Sequence, residues 1–458
     1  MEENRPQGQG GQNRKNLVNL LLVLFALVLL ASCLSLSLYW ELRPSSRKSA
    51  RSQEPLHAEI ISFLEGKEAV REAAELIGHS YVEPVEKGEL MEAAAMGVRR
   101  MYREGRDEQT LVARALKAMV DGLDDPYSTY MTQEETEMLQ TQLSGRFSGV
   151  GLALEMVKNE VRVTGVLPGT PAEESGIHEG DVIREVDGRD ISGMTLEQVV
   201  MSIRGPQGTQ VTLGILRRPE RELIRVSLTR RDIEIPVLQQ RLLEDSVGYI
   251  KLSDWTEDAD RKVEEALKEL RSKGARYLLM DLRSNRGGYM EPAIRVADMF
   301  LSEGTIVSSW GRTQGASQMY RADERVEWDL PVVVLVNRWT ASASEIFAAA
   351  LKENGRCLLV GENTYGKGAI QKLFPLEDGS AIRLTLARYR TPSGNDIDEQ
   401  GIKPDVQVRN PVAGDRDLQL ERALEVLRGG WDQKGQVFPI SAGFKCGFVH
   451  ARPWALGG

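Results

Sequence analysis

Histidine and cysteine are the chemistry-bearing residues that this chain has least of. Its 458 residues include four histidines and three cysteines. Three thiols cannot build a disulfide framework or a four-thiolate zinc site. The histidines are too far apart for a HExxH metal motif, and none lies between positions 178 and 450. A Ser–His–Asp enzyme would have to draw on scattered positions, so the sequence predicts that any hydrolytic chemistry proceeds without histidine.

A surplus of basic residues is also missing. Lys and Arg total 58 against 67 Asp and Glu, which gives a formal net charge of −9. Nucleic acid is therefore not an expected partner. The hydrophobic share of 41% and the charged share of 27% are ordinary for a globular protein and argue against extensive disorder. At roughly 150 residues per domain, the length predicts about three domains.

One long uncharged run lies near the amino terminus. A Gly/Gln/Asn-rich tail (1–16) precedes residues 17–40, which carry no charged side chain. As a helix this run would span about 36 Å, enough for a hydrocarbon core of about 30 Å. Tyr39 and Trp40 would then lie at the membrane interface. We expect a transmembrane signal-anchor at 17–40, a cytoplasmic tail at 1–16, and the remaining chain outside the cytoplasm of a bacterial cell.

A lipoprotein signal is the alternative for this run. Leu30-Ala31-Ser32-Cys33 resembles a lipoprotein cleavage box, with Cys33 as the residue that would carry lipid. The apolar run continues past Cys33, which favours an uncleaved anchor. Under the first interpretation, membrane lipid is a partner through residues 17–40.

Hydrophobic periodicity changes along the rest of the chain. Residues 57–123 repeat apolar side chains at three- and four-residue spacing, which predicts helices. Residues 147–231 hold short β-like runs separated by turn sequences. Residues 232–410 alternate apolar strand candidates with helix candidates, which predicts an α/β core. The segment 431–458 shows no clear period and receives no assignment.

Ser342 is the candidate nucleophile. It follows an apolar strand candidate and lies near the start of a predicted helix, where free N–H groups favour developing negative charge. Ala343 would offer its N–H, and Gly287 and Gly288, after another strand, would let backbone N–H groups approach an oxyanion. The alternative is that Ser342 and Glu345 form a capping box that only closes the helix end.

Lys367 is the candidate general base. Gly366 and Gly368 flank it and allow close packing around its side chain. Its pKa would have to fall from about 10.4 to about 7–8 through burial. Gln371 would hold the neutral amine through its side-chain oxygen. The alternatives are a solvated lysine and a phosphate-binding loop; Gly368 replaces the hydroxyl residue of that loop, and the next segment is predicted to be a strand.

In this order and spacing, the segments resemble the carboxy-terminal processing peptidases, also called tail-specific proteases. The matching stretches, within about residues 70–410, are DDPYSTYMT, SGVGL, LPGTPAEESGIHEGDVIREVDG, DLRSNRGG, TASASEI, VGENTYGKGAIQ and TPSG…GIKPD. The resemblance implies a serine endopeptidase with a Ser–Lys dyad, needing no cofactor or metal. It assigns Ser342 as the nucleophile, Lys367 as the base and Gln371 as an assisting amide, with Ser344 structural.

The resemblance also implies an oxyanion hole and a peptide-binding module. The oxyanion donors would be the N–H of Ala343 and one N–H of the Gly287-Gly288 pair. A PDZ domain would bind the C-termini of protein or peptide substrates. Its loop would present N–H groups to a terminal carboxylate and its adjoining strand would pair with the peptide. The loop residues are Gly149, Val150, Gly151 and Leu152. The sequence leaves open whether the protein forms a homo-oligomer.

The expected fold is an α/β protease core with an inserted β-rich PDZ-like domain, preceded by a helical N-terminal region and one transmembrane helix. The expected segments are a tail (1–16), an anchor (17–40), a linker (41–56), a helical region (57–146), a PDZ domain (147–231), a protease core (232–430) and an unassigned tail (431–458).

Three places depart from the family pattern. Arg286 stands where proline or glycine is common, and Trp339 where a smaller residue is usual. Residues 395–398 replace a motif that usually contains arginine and glutamine. Each departure would alter substrate fit without removing a catalytic group. The alternative function is a catalytically silent membrane PDZ scaffold that binds protein C-termini, because the capping interpretation of Ser342 needs no catalysis.

Overall fold

The computed structural model describes residues 54–217, 222–411 and 416–429. The expected anchor at 17–40, Cys33 and the segment 431–458 lie outside these residues. Within the described ranges, none of the helices has the length and apolar character needed to span a bilayer.

The elements of the described ranges are labelled in chain order. The helices are α1 (Glu54–Glu65), α2 (Glu68–Ser80), α3 (Lys87–Arg103), α4 (Glu108–Asp121), α5 (Gln133–Ser144), α6 (Pro171–Glu174), α7 (Leu196–Ile203), α8 (Ala259–Ser272), α9 (Met290–Asp298), α10 (Ala343–Glu353) and α11 (Leu418–Gly429). The strands are β1 (Thr129–Met131), β2 (Arg146–Gly149), β3 (Leu152–Val157), β4 (Glu160–Val166), β5 (Val182–Val186), β6 (Arg189–Asp190), β7 (Gln210–Leu216), β8 (Leu223–Thr229), β9 (Arg231–Glu234), β10 (Leu238–Leu243), β11 (Val247–Leu252), β12 (Tyr277–Asp281), β13 (Thr305–Gly311), β14 (Gln318–Arg321), β15 (Val332–Val336), β16 (Cys357–Gly361), β17 (Ala369–Pro375), β18 (Ala381–Arg390) and β19 (Val406–Gln407).

The first four helices pack on one another through their apolar faces. In α2, Val70, Ala73 and Ile77 recur at helical spacing and are buried. The same hydrophobic cluster includes Ile382 and Leu384 of β18. The helical region therefore rests on a sheet of the protease core, and the helices predicted from periodicity are present.

A β-rich module interrupts the chain between α5 and β10. Its sheet has the strand order β3-β4-β5-β7-β8, with β6 pairing β5, and it buries a separate hydrophobic cluster. The chain enters through β2 and leaves through β9, and these two strands pair antiparallel from Arg146 opposite Glu234 to Gly149 opposite Arg231. The module is thus attached to the rest of the protein by a two-stranded ribbon.

The core of the α/β part is a six-stranded sheet with the order β10-β11-β12-β15-β16-β19. Its strands from β11 to β19 run parallel, and β10 is antiparallel to β11. All five residues of β15 are buried, because α8, α9 and α10 cover one face of the sheet and α11 covers the other. The continuous apolar runs of the sequence reflect this two-sided burial.

A second sheet of antiparallel strands lies beside the first. Its order is β1-β18-β13-β14, with β17 also paired to β18. Since β17 directly follows Gly368, the segment after Lys367 is a strand, as the sequence predicts. A phosphate-binding loop would need a helix there, so that alternative is excluded.

The aromatic packing beneath α10 gives a test of the core. Phe347 is wholly buried, with its ring centroid 5.6 Å from that of Trp255 and 5.9 Å from that of Phe300. We expect Phe347→Ala to lower the free energy of unfolding by about 3–5 kcal/mol, because it removes these contacts and leaves a cavity. Chemical denaturation measures the loss. Met96→Ala on α3, at a residue 68% exposed, is the control and should cost under about 0.5 kcal/mol. Equal effects of the two changes would contradict this packing.

Candidate active site

Three neighbouring parallel strands deliver the predicted site residues to one edge of the sheet. The turn after β12 carries Gly287 and Gly288, the turn after β15 carries Ser342, and the loop after β16 carries Lys367. Carboxyl ends of parallel strands are where open α/β sheets gather their ligands. Because these three strands are neighbours in the sheet, the three motifs that follow them lie close together at its edge.

Ser342 occupies a strained turn between β15 and α10. Its backbone angles are φ 57° and ψ −120°, a region that non-glycine residues adopt only when the surrounding structure enforces it. Its N–H donates to Glu345 Oε2 at 2.8 Å, while the Glu345 N–H donates to the Ser342 carbonyl oxygen at 2.7 Å. Ser342 and Glu345 have the capping-box arrangement that the sequence offers as the alternative, although the Ser342 hydroxyl makes no side-chain cap hydrogen bond within the normal limits. Capping and catalysis are therefore both compatible with this turn.

Glu345 is a buried carboxylate that accepts hydrogen bonds from two active-site segments. Besides the Ser342 N–H, it accepts from the Thr364 hydroxyl at 2.5 Å, the Gly366 N–H at 2.7 Å and the Lys367 N–H at 3.0 Å. Burial raises the pKa of the Glu345 carboxyl above its ordinary value, against the effect of these donors. One side chain thus fixes the backbone of both Ser342 and Lys367.

Tyr389 of β18 makes a second link between the same two residues. Its hydroxyl lies 3.2 Å from the carbonyl oxygen of Ser342 and within hydrogen-bonding distance of the carbonyl oxygen of Lys367. Burial raises the pKa of Tyr389 well above its ordinary value, so this hydroxyl stays a neutral donor.

The direct contacts of the Lys367 amine are two uncharged side chains, Gln371 and Tyr127. Nζ donates to Gln371 Oε1 at 2.6 Å, and the Gln371 amide donates in turn to the carbonyl oxygen of Tyr127. Nζ also lies 5.5 Å from the centre of the Tyr127 ring. Burial, with a contribution from the positive charge of Arg383, lowers the pKa of Lys367 to about 8. A lysine with this pKa is partly a free base at neutral pH.

The two proposed dyad residues are close through their backbones, but their side chains are not bonded. In the part of the chain that the structure describes, no hydrogen bond joins the Ser342 hydroxyl to the Lys367 amine, which donates to Gln371 instead. Such contacts often tighten only when substrate is present. Ser344 is committed elsewhere: its hydroxyl accepts from Trp255 Nε1 at 2.9 Å inside the core.

The two glycines of the predicted oxyanion hole have different surroundings. The Gly287 N–H already donates to Asn285 Oδ1 at 2.9 Å. A Cβ at Gly287 would lie 2.8 Å from the Ser342 Cβ, so this position needs glycine for close approach. Among the described residues, the N–H groups of Gly288 and Ala343 have no hydrogen-bond partner. The structure thus favours Gly288 over Gly287 as the second donor.

Two segments that in the sequence are only motifs, those of Tyr127 and Asp398, also support Lys367. The Tyr127 hydroxyl, from the loop before β1, donates to Asp398 Oδ1 at 3.2 Å. The same oxygen accepts the Gly368 N–H at 3.0 Å, and the other carboxylate oxygen of Asp398 pairs with Arg388. The departure at residues 395–398 therefore braces the turn around Lys367. No periodicity signals these contacts, since the partners are distant in sequence.

The predicted PDZ loop lies in the β-rich module and not with the catalytic candidates. Gly149 ends β2 and Leu152 begins β3, while Val150 and Gly151 connect them. Val150 is buried, and Gly151 has a φ of 88°. In the described residues β3 is the outermost strand of its sheet, so one edge of β3 has no strand beside it.

Comparison with known proteins identifies the class. Residues 246–408 match peptidase family S41, and residues 138–216 match the PDZ domain. The carboxyl-terminal-processing protease of Synechocystis sp. is 40% identical over 330 residues, covering 69% of this chain and 77% of that protein. The carboxy-terminal processing protease CtpA of Bacillus subtilis is 36% identical over 310 residues, covering 68% and 66%.

The chain belongs to the carboxyl-terminal-processing proteases of peptidase family S41, and it is a serine endopeptidase with a PDZ domain. The family predicted from the motifs is therefore confirmed. Among solved structures, the photosystem II D1 C-terminal processing protease aligns at 30% identity with a TM-score of 0.47, covering 80% of this chain and 98% of that one.

The position of Glu345 gives a test of the site. In Glu345→Gln the side chain keeps one acceptor oxygen and turns an NH₂ group toward backbone donors. We expect a loss of about 1–3 kcal/mol in the free energy of unfolding and a fall of roughly 100-fold in kcat/KM, because the two catalytic turns shift. A fluorogenic unstructured peptide and chemical denaturation measure both effects.

Glu324→Gln is the matched control, since Glu324 is exposed on a loop. It should change the free energy of unfolding by no more than about 0.5 kcal/mol, and kcat/KM by no more than the factor that corresponds to the same energy. An active Glu345→Gln enzyme, with kcat/KM near that of the wild type, would contradict the positioning role.

Proposed function

We propose that this protein is a membrane-anchored serine endopeptidase that selects proteins by their C-terminal tails and cleaves them with a Ser342–Lys367 dyad. The observation that carries the proposal is the shared carboxylate: Glu345 accepts the N–H groups of Ser342 at 2.8 Å and Lys367 at 3.0 Å. A carboxylate that only capped α10 would have no reason to hold the lysine turn.

In the proposed mechanism, the neutral amine of Lys367 takes the proton of the Ser342 hydroxyl as its oxygen attacks the scissile carbonyl. The N–H groups of Ala343 and Gly288 stabilise the resulting oxyanion. The Lys367 ammonium then protonates the leaving amine, which releases the fragment that carries the new N-terminus and leaves the other fragment as an acyl-enzyme on Ser342. Lys367 next removes a proton from water as the water oxygen attacks the acyl carbonyl. The ammonium returns this proton to Ser342 Oγ as the acyl bond breaks, and the product leaves with its new C-terminus. Gln371 aims the amine before the reaction begins.

The PDZ module supplies selection in this proposal. A substrate tail would add a strand to the open edge of β3, and the loop from Gly149 to Leu152 would offer N–H groups to its terminal carboxylate. The neighbouring helix α7 packs near β3 and would form the other wall of the groove. Main-chain pairing of this kind tolerates varied sequences, as a processing enzyme requires.

We further propose that tail binding shifts the enzyme toward its active arrangement. Gly145, the residue just before the attachment ribbon, touches the catalytic core, since a Cβ there would come within 2.8 Å of Thr256 Cγ2. Next to Thr256, the Trp255 N–H donates to the Gly287 carbonyl oxygen at 3.0 Å. This chain of contacts joins the PDZ module to the oxyanion segment. In the present structure the Lys367 amine is hydrogen-bonded to Gln371 and not to Ser342. The proposed shift would move the amine toward the Ser342 hydroxyl.

The proposed location is the extracytoplasmic side of a bacterial membrane, with residues 17–40 as a single-pass anchor. Its basis is the uncharged length of that segment, which lies outside the described residues. Lipidation at Cys33 is the alternative attachment.

Two substitutions test the dyad and separate the peptidase from the silent scaffold. We expect Ser342→Ala to abolish cleavage of an unstructured peptide, because no nucleophile remains. Lys367→Arg should be equally inactive, because guanidinium stays protonated at every accessible pH. A fluorogenic peptide assay on purified protein measures both rates.

Ser393→Ala and Lys372→Arg are the controls, since both residues are exposed; these variants should retain wild-type turnover. Cleavage by Ser342→Ala at the wild-type rate would refute the nucleophile assignment. A wild-type protein that cleaves no peptide would favour the scaffold.

The pKa of Lys367 predicts the pH dependence. Below a pKa of about 8 the amine is protonated and cannot accept the serine proton, so activity should rise with pH. With one controlling group, about a tenth of the lysine is free base at pH 7 and about nine tenths at pH 9. We expect kcat/KM to increase about tenfold between these values. A flat or falling profile, with the fold intact by circular dichroism, would contradict lysine as the base.

A further inference from the structure

Two arginines and a tryptophan form a cluster beside the nucleophile, and the mechanism above uses none of them. The Arg–Trp cluster consists of Arg286, Arg338 and Trp339. Arg286 directly precedes Gly287, and Trp339 lies three positions before Ser342. Because Gly287 packs against Ser342 so closely that a Cβ would lie 2.8 Å from the serine Cβ, the cluster flanks the reacting atoms.

Both guanidinium groups lie over the same indole ring. The central carbons of Arg286 and Arg338 are 5.6 Å and 5.3 Å from the Trp339 ring centroid, within the range of cation–π attraction. The indole is 44% exposed, and both arginines are exposed. The cluster therefore faces solvent at the mouth of the site.

Neither guanidinium of the cluster has an acidic partner among the residues that the structure describes. Arginines nearby do: Arg283 pairs with Asp281 and Asp417, and Arg295 with Asp260. Two positive charges within 6 Å of one ring repel each other, and an incoming carboxylate would relieve that repulsion. Arginine is also suited to bind a carboxylate through two parallel hydrogen bonds.

We propose that the Arg–Trp cluster is a specificity subsite that binds an acidic side chain, aspartate or glutamate, next to the scissile bond of the peptide. The inference rests on the proposed function, since it requires a peptide held at Ser342. Trp339 holds the guanidinium groups in place and covers the aliphatic part of the acidic side chain. The departures from the family pattern at Arg286 and Trp339 then set a preference particular to this chain.

Matched peptides test the proposal. A set of fluorogenic peptides carries Glu, Gln or Lys at each position adjoining the scissile bond and is otherwise identical. At one position we expect the wild-type enzyme to favour Glu over Gln by about three- to tenfold in kcat/KM, the size of a solvent-accessible charge pair to two arginines. The preference should arise in KM and weaken as salt rises, because exposed charges are screened.

Substitution of Arg338 separates this subsite from general effects on the protein. In Arg338→Gln the Glu/Gln ratio should fall toward one, and in Arg338→Glu the preference should turn to Lys. Arg276→Gln is the matched control: Arg276 is exposed just before β12, at the opposite end of the sheet, and its loss changes net charge equally. Its Glu/Gln ratio should equal that of the wild type.

Two results overturn the subsite. One is a wild-type Glu/Gln ratio of one at every position; the other is an unchanged ratio in Arg338→Gln. Both are distinguishable from failure of the proposed function, which would appear as cleavage that persists in Ser342→Ala or as no cleavage of any peptide, and which would remove the subsite as well.

Discussion

The buried carboxylate of Glu345 is the contact on which the active site depends. It accepts hydrogen bonds from the turn that carries Ser342 and from the loop that carries Lys367. If the two segments moved apart, this buried carboxylate would lose part of its hydrogen bonding, so the donors from both sides hold the segments in one relative position. The same bonds hold Ser342 at a positive φ that serine would otherwise avoid.

In the proposed dyad, the surroundings of Lys367 show how a chain with four histidines could supply a base. Its amine is buried, faces the amide oxygen of Gln371 and the ring of Tyr127, and has a pKa lowered to about 8. Tyr127 belongs to the loop between α4 and β1. The N-terminal part of the chain therefore covers β18 with its helices and also completes the site through this loop. The Asp398 carboxylate closes the arrangement by holding the Gly368 N–H. Three separate parts of the chain thus position Lys367.

Local pattern predicted the parallel strands and the helices that follow them, because their apolar residues repeat at fixed periods. Motif order predicted Ser342 and Lys367 as partners, and strand order brings both to one edge. The hydrogen bonds of Glu345 to the lysine loop were not predictable, since its donors at 364–367 are distant in sequence and come close only in the folded protein. The same holds for the Gly287 N–H, which Asn285 occupies. Side-chain to backbone bonds between distant segments leave no period in a sequence.

The most direct test of the central claim is to find the acyl-enzyme. Enzyme mixed with a slowly hydrolysed ester substrate, quenched during turnover and digested, is analysed by peptide mass spectrometry. We expect an acyl group on Ser342 itself, absent in Lys367→Arg protein. An adduct on Ser344, or turnover with no covalent adduct at any serine, would contradict it.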